Sequence, residues 1–395
     1  MTMRVMKVMD GNSAAAEAVK QVNPDVVVVQ PITPATPIVE KIASFVANGQ
    51  MDTEIVDVES GYSAISGCIG ASAAGGRVFT ASASQGLVSM HEILYITASL
   101  RLPIVAGVVN RALAAPENIY TDHSDAMAER SCGWMQFFCE NPQEAYDNLI
   151  QAYKVAEHME VRTPAMVGMD AFLTSHSREN LYIEDTGEVD EFVGKFKPVF
   201  SLLDSEHPVS VGSHASLDYY FEHKVNQLQG MEKARKIIKE VGREFGDRFG
   251  RYYGFFEAYK MDDANHAVVL MGSAAGTAKE TVDQLRNQGE KVGLLKLRVF
   301  RPFPYQELKE TLADLNSIAV LDRAFNPGTP GGPLYNEIRA ALYDNRQKLL
   351  VFPYIYGLGG RDIGVNDFLG IFQEIKEKSE KAEFISEVKC IGLRK

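Results

Sequence analysis

Residues 26–37 read Val26-Val27-Val28-Val29-Gln30-Pro31-Ile32-Thr33-Pro34-Ala35-Thr36-Pro37, and this stretch decides the fold class. Four β-branched residues in a row are apolar at every position, not at alternate ones. That suits a strand buried on both faces, as in a parallel sheet covered by helices. The prolines that follow remove backbone donors and fix φ, so they end the strand and stiffen the loop after it. Working outward, strand-like runs recur at Glu54–Val58, Arg77–Thr80, Ile104–Val109 and Ala165–Met169. Helical patterns lie between and around them, at Asn12–Val22, Ile38–Ala47, Ser60–Ala74, Ser89–Leu100 and Pro142–Glu157. This β-α-β alternation predicts an α/β fold with a doubly wound parallel sheet.

From about Thr174 the pattern changes. Residues 175–230, with the acidic stretch Glu184–Glu191, show no clear period and read as a connecting segment, and a charged helix follows over Met231–Phe245. A second α/β cycle begins near His266, with strands expected at Ala267–Met271, Val292–Leu297, Ile318–Leu321 and Leu349–Tyr356. Its helices are expected from the Gly272–Gly276 loop through Arg286, then at Tyr305–Leu315, Leu334–Tyr343 and Val365–Lys378. The expected organisation is a first domain with its connecting segment over 1–230, a linking helix within 231–265, and a second doubly wound domain over 266–395.

The 395 residues are 46% hydrophobic and 23% charged, the profile of an ordinary globular chain. Forty Lys+Arg against 52 Asp+Glu give a net charge of −12. Such a surface repels phosphate backbones and anionic lipid, so neither nucleic acid nor a membrane is an expected partner. The first ten residues are interrupted by Arg4, Lys7 and Asp10 and hold no signal-peptide core, and no apolar run reaches membrane-spanning length. Cys68, Cys132, Cys139 and Cys390 are scattered, with no C-x-x-C pair. That argues for a reducing, cytoplasmic compartment and against a metal or cluster site on this chain, with Cys132 and Cys139 read as small buried apolar residues.

Ligands of open parallel sheets bind beyond the carboxyl ends of the strands. There the loop 30–37 places Thr33 on a stiff backbone, with Thr36 as the expected N-cap before Pro37. Glu59 follows the next strand and opens a helix of very small side chains, Gly61, Ser63, Ala64, Ser66, Gly67 and Gly70 among them. A carboxylate there is a favourable partner of the helix dipole. Alternatively, if buried beside a closely approaching flat ligand, it would have a raised pKa and serve as a proton partner. Arg111 closes the strand Ile104–Val109 and is either a bidentate clamp for a carboxylate or half of a structural ion pair. In Asp122-His123-Ser124-Asp125, His123 is either a proton shuttle or a structural histidine. The glycine-rich loops Gly272–Gly276 and Gly328–Gly332 complete the candidates. The first opens a helix and suits a phosphate, but it lacks the full dinucleotide and P-loop patterns.

Together these pieces resemble the α subunit of the 2-oxoacid:ferredoxin oxidoreductases, the pyruvate type above all. The resemblance rests on DGNSAAAEA (10–18), PITPATP (31–37), VESGYSAISGCIGASAAGGRVFTASASQGL (58–87), NRALAAPENIYTDHSD (110–125) and GWMQF (133–137). It continues with LKLRVFRPFP (295–304), VLDRAF (320–325) and YGLGGRD (356–362). It implies a pyrimidine-binding thiamine diphosphate domain followed by a transketolase-C-like domain. The activity it implies is oxidative decarboxylation of a 2-oxoacid to CO2 and acyl-coenzyme A, with ferredoxin reduced. Coenzyme A is then the co-substrate. The thiamine diphosphate is shared with a β subunit that also holds Mg2+ and a [4Fe–4S] cluster, and γ and small ferredoxin-like δ subunits complete the complex.

By the same resemblance Glu59 is the glutamate that bonds the pyrimidine N1′, and Gln85 and Gly86 belong to the cofactor-binding turn. Arg111 faces the substrate carboxylate and Thr33 hydrogen-bonds the substrate. The family motif reads Tyr-Pro-Ile-Thr-Pro, whereas Gln30 stands here in place of the tyrosine beside the substrate. A branched-chain or aryl 2-oxoacid therefore stays open beside pyruvate. A transketolase-like thiamine enzyme without ferredoxin, and a non-catalytic subunit binding a nucleotide at Gly272–Gly276, are the alternatives from other classes.

Overall fold

The computed structural model describes residues 4–344, 349–384 and 387–394; the first three residues of the amino-terminal stretch lie outside the described residues. A seven-stranded sheet forms the first half, in the order Val299–Arg301, Met135–Cys139, Ala165–Asp170, Val105–Asn110, Val78–Ser82, Val26–Val29, Glu54–Asp57. All neighbours are parallel except the first pair. The valine run lies between Glu54–Asp57 and Val78–Ser82, with Val27, Val28 and Val29 essentially inaccessible. Helix Gly11–Val22 covers one face, and its Ala14, Ala15, Ala16 and Ala18 are fully buried in the core it shares with Tyr146 and Tyr153 of helix Pro142–Glu157. Alanines keep helix propensity while letting two helices approach closely.

The second half is a six-stranded sheet, Lys389–Cys390, Leu350–Ile355, Ser317–Asp322, His266–Leu270, Val292–Leu297, Phe256–Tyr259, parallel except for the last strand. Both expected α/β sheets are therefore present. No helix among the described residues is long and apolar enough to cross a membrane.

The structure differs from the expectation in four places. The segment 175–230 is not without structure: Arg178–Ile183 pairs antiparallel with Val5–Asp10, and a helix spans Thr186–Val193. The charged helix begins at Tyr220 and runs to Phe249, so the 230/231 boundary cuts through it, and strand Phe256–Tyr259 belongs to the second sheet, so the 265/266 boundary separates that strand from its neighbours. Met135–Cys139 is a fully buried strand that the sequence reading passed over. Val299–Arg301 lies in the second half of the chain yet adds an edge strand to the first sheet, opposite Gln136 and Phe137.

Candidate functional site

Three strand-end loops of the first sheet meet at its carboxyl edge. The first carries Gln30, Ile32 and Thr33, the second runs from Ser82 to Gly86, and the third starts at Asn110. Asp125, from the short helix Ser124–Ala128, holds two of them together. Its carboxylate is fully buried and accepts hydrogen bonds from Ser84 N (2.9 Å), Arg111 N (3.0 Å), Asn110 Nδ2 (2.9 Å) and Ala126 N (2.7 Å). Burial pushes its pKa up to about 6, against the hydrogen bonds that favour its ionised form. Ser84, at φ +46°, also donates its hydroxyl to Ala112 O at 2.6 Å. Sequence reasoning quoted Asp125 only as part of a motif and missed this role. A carboxylate surrounded by backbone donors leaves no spacing signal.

The turn at Gln85–Gly86 packs against the start of helix Gly61–Ala73. A Cβ on Gly61 would lie 2.2 Å from Gly86 O, so glycine is needed for that approach. A Cβ on Gly86 would meet Ser82 Oγ at 2.7 Å, Ile32 Cδ1 at 3.1 Å and Gln30 Oε1 at 3.4 Å. Gln30, Gly86 and the Glu59–Gly61 corner are therefore neighbours, and Gln85 is exposed beside them.

Glu59 departs from expectation. It is exposed, not buried, and its pKa is lowered, not raised. Hydrogen bonds from the Ser63 hydroxyl, its own backbone amide and the Ser60 hydroxyl (3.0 Å) favour the carboxylate. The helix cap is Ser60, whose Oγ accepts from Ser63 N at 3.1 Å. Among the described residues, nothing covers the carboxylate to desolvate it.

Arg111 is buried, with its Nη1 donating to Thr33 O at 2.9 Å and its Nε to Asn118 O at 3.2 Å. Its one ion pair among the described residues is with Glu117 at 3.3 Å, and that side chain is 78% exposed. A surface pair of this kind is worth little, so the guanidinium edge facing Glu117 is available to another anion. The Thr33 side chain is exposed, while its carbonyl anchors Arg111. Thr36 is not the N-cap: Ala35 is, without a side-chain cap, and Thr36 and Pro37 form the first turn.

The second half braces this edge. Asn118 Nδ2 donates to Gly359 O (3.1 Å), Gly360 N to Thr121 O (2.7 Å) and His123 N to Arg323 O (2.8 Å). Gly359 and Gly360 have φ of +60° and +80°, and a Cβ on either would strike Asn118 or Tyr120. Beneath them the buried Asp170 accepts from Thr121 Oγ1 (3.2 Å), His123 Nε2 (2.7 Å), Ser273 N (2.8 Å) and Arg323 Nη1 (2.8 Å). Burial alone would raise the Asp170 pKa, but Arg323 and His123 outweigh it and hold the carboxyl well below the usual range. His123 is thus a structural histidine 1% exposed.

Both glycine-rich loops are used internally. Gly272 packs on Asp170, whose carboxylate takes the donors of Ser273, and Asp322 caps Leu334 N (2.7 Å) and Tyr335 N (2.9 Å) beside Gly332. A phosphate at Gly272–Gly276, the alternative that loop left open, would have to displace a buried carboxylate. A triplet of carboxylates, Glu140, Glu144 and Glu257, has metal-like spacing. Lys296 Nζ occupies it, at 2.6, 2.5 and 2.9 Å.

A family model for the pyruvate flavodoxin/ferredoxin oxidoreductase thiamine-diphosphate-binding region matches residues 17–243, and one for pyruvate:ferredoxin oxidoreductase core domain II matches 264–368. The chain belongs to the pyruvate:ferredoxin oxidoreductase family. Pyruvate synthase subunit PorA of Thermotoga maritima is 49% identical over 97% of this chain and 97% of its own length. Ketoisovalerate oxidoreductase subunit VorA of Pyrococcus abyssi is 47% identical over 99% of this chain and 98% of its own. A solved 2-oxoglutarate:ferredoxin oxidoreductase of Magnetococcus marinus, with 2-oxoglutarate, coenzyme A and succinyl-CoA bound, shares the fold with a TM-score of 0.71 at 15% identity. The match covers 95% of this chain, which spans 65% of the length of that one. Membership makes this chain an oxidoreductase subunit of the 2-oxoacid:ferredoxin class, as the motifs imply.

Proposed function

We propose that this chain is the α subunit of a thiamine-diphosphate-dependent complex that converts pyruvate, coenzyme A and oxidised ferredoxin to acetyl-coenzyme A, CO2 and reduced ferredoxin. The observation that carries the reading is the meeting of Glu59, Gly86, Gln30, Thr33 and Arg111 at one sheet edge. The Gly61–Gly86 approach leaves no Cβ between helix start and turn, which suits a flat heterocycle lying over them. Glu59 would hold the aminopyrimidine end of the cofactor, with Gln85 and Gly86 beside it. Bound there, thiamine diphosphate supplies the nucleophilic carbon and the electron sink that decarboxylation of a 2-oxoacid needs. Arg111 orients the substrate carboxylate and the Thr33 hydroxyl donates to the substrate.

Helices Gly61–Ala73 and His91–Ser99 leave Tyr62, Tyr95 and Ile96 exposed on their outer faces. Bare rings of this size favour a covering partner. That partner is the β subunit, which would bring the diphosphate site, Mg2+ and a [4Fe–4S] cluster; γ and δ subunits and ferredoxin complete the assembly. The donor set fits that division: Cys68, Cys132 and Cys139 are each buried free thiols, and the acidic triplet is filled by Lys296. Covering Glu59 would desolvate it and move its pKa upward. The four free cysteines also support a cytoplasmic location.

Gln30 favours a second reading, in which the acid is branched, because it replaces an aromatic ring directly beside Gly86. The test is purification of the native complex with iron and thiamine analysis, followed by a 2-oxoacid panel with coenzyme A and ferredoxin. Thiamine and iron in the complex with pyruvate as the best substrate are expected. A complex without thiamine would overturn the reading, and a preference for 3-methyl-2-oxobutanoate would select the second.

A further inference from the structure

The opposite edge of the first sheet carries a cavity that the catalytic reading does not use. Arg101 precedes strand Val105–Asn110 and Arg162 precedes strand Ala165–Asp170, so both lie at the amino ends of strands whose carboxyl ends form the site. At roughly 3.3 Å per residue this cavity is about 20 Å from Arg111. It measures about 550 Å3, within the range of small-molecule pockets. Its walls include Arg101, Arg162, His223 and Lys224, with Phe200 and Tyr220 as aromatic surfaces, and no carboxylate lines it.

Two guanidinium groups share this space without a counter-ion. Among the described residues neither Arg101 nor Arg162 forms an ion pair, although the protein carries a net charge of −12. Glu160, which lines the adjoining cleft, faces Lys233 at 3.6 Å instead. Arg101 is fixed by oxygens of its own chain, donating to Val161 O (2.5 Å), Arg162 O (2.9 Å), Asn226 O (2.7 Å) and Asn226 Oδ1 (2.5 Å). Arg162 makes no side-chain hydrogen bond among the described residues and lies 5.6 Å from the Phe200 ring centroid. Both residues hold left-handed backbone, φ +59° and +39°, where a side chain other than glycine is disfavoured. Burial and the neighbouring Arg162 push the Arg101 pKa below the usual guanidinium range, and burial does the same to Arg162. Both remain cations at neutral pH, so their mutual repulsion stays uncompensated.

We propose that this cavity binds a phosphate-bearing small molecule of nucleotide size, its phosphate on the free Arg162 guanidinium within the field of Arg101 and its ring against Phe200 or Tyr220. A planar guanidinium with unused donors matches two phosphate oxygens, and an aromatic wall accepts a stacked base. The site is separate from the catalytic edge, so its occupant is neither the 2-oxoacid nor the thiamine cofactor.

The test uses the purified native complex, saturated with coenzyme A and thiamine diphosphate so that their own sites are filled. Titration with radiolabelled AMP then reads one additional site per chain. Arg162→Gln should weaken that site at least about tenfold, a loss of about 1.4 kcal/mol. Lys224→Gln, read beside it, should weaken the site in the same direction. Neither residue touches the catalytic edge, so turnover without AMP should be unchanged. Absence of an additional AMP site in the native complex would overturn the proposal. So would AMP binding that is unaltered in both variants.

Discussion

Asp125 and Glu59 stand at the same sheet edge and are opposite in every physical respect. Asp125 is fully buried, takes four hydrogen bonds, and ties the loop before Gly86 to the loop of Arg111. Glu59 is exposed and held by two serine hydroxyls of its own helix start. One carboxylate has its whole environment inside this chain. The other has half of it, and in the proposed function a second subunit supplies the rest. The rear of the site is thus a finished part of the fold, and its front is exposed surface that the proposed second subunit would cover.

Replacing the front carboxylate gives the largest effect on chemistry and the smallest on folding. Glu59→Gln in the assembled complex should lower kcat about 10²-fold or more, the usual scale for losing a proton partner. Its melting temperature should match that of the native complex, since the side chain touches only Ser60 and Ser63. Full turnover in this variant would remove Glu59 from the mechanism.

The rear carboxylate should behave the other way round. Asp125→Asn turns one acceptor atom into a donor facing backbone N–H groups and should destabilise the chain by about 2–4 kcal/mol. Activity falls with it because Arg111 and Gly86 lose their common anchor. The pH dependence has a definite sign. With its folded pKa raised to about 6, the stability Asp125 contributes is complete below its unfolded value and is lost as pH rises through about 6. The melting-temperature gap between native chain and variant should therefore widen as pH is lowered from 7 toward 4. A gap that narrows would mean that Asp125 is not held as the buried geometry implies.

What was legible in the sequence follows the same division. Local apolar runs marked strands Val26–Val29 and Val292–Leu297 to the residue, because a strand buried on both faces needs no distant partner to be recognised. Arg178–Ile183 was missed because its outer residues are exposed and its pairing is with Val5–Asp10, far away in the chain. Val299–Arg301 is too short to show a period and leaves its own half to join the other sheet. Family motifs located Glu59, Gly86 and Arg111, but the burial expected of Glu59 was not a property of this chain. The motifs VLDRAF and YGLGGRD had no evident task in the sequence. In the structure Arg323, Gly359 and Gly360 grip the loop that carries Arg111.

Arg111 belongs partly to each region: its Nη1 and Nε are committed to Thr33 O and Asn118 O, while its Nη2 meets only the exposed Glu117. Arg111→Ala should raise KM for the 2-oxoacid about 10–100-fold, with kcat changed less, as for lost binding that ground state and transition state share. An unchanged KM would make it a purely structural arginine, bracing Thr33 from behind.

The mildest change tests the boundary between the regions. Gln30 is half-buried, donates its Nε2 to Pro31 O at 2.9 Å, and places its Oε1 3.4 Å from where a Gly86 Cβ would lie. In Gln30→Tyr an aromatic ring enters that space and the amide leaves it, so the pocket becomes narrower and less polar. The loop itself should survive, since its prolines and the Arg111–Thr33 bond do not depend on residue 30. If Gln30 faces the substrate, kcat/KM for pyruvate relative to 3-methyl-2-oxobutanoate should rise about 3–10-fold, somewhat less than the roughly 10–200-fold that one methylene is worth in a closed apolar pocket. A ratio that stays constant while both values fall together would place Gln30 with the cofactor turn at Gly86 and leave the choice of acid to other residues.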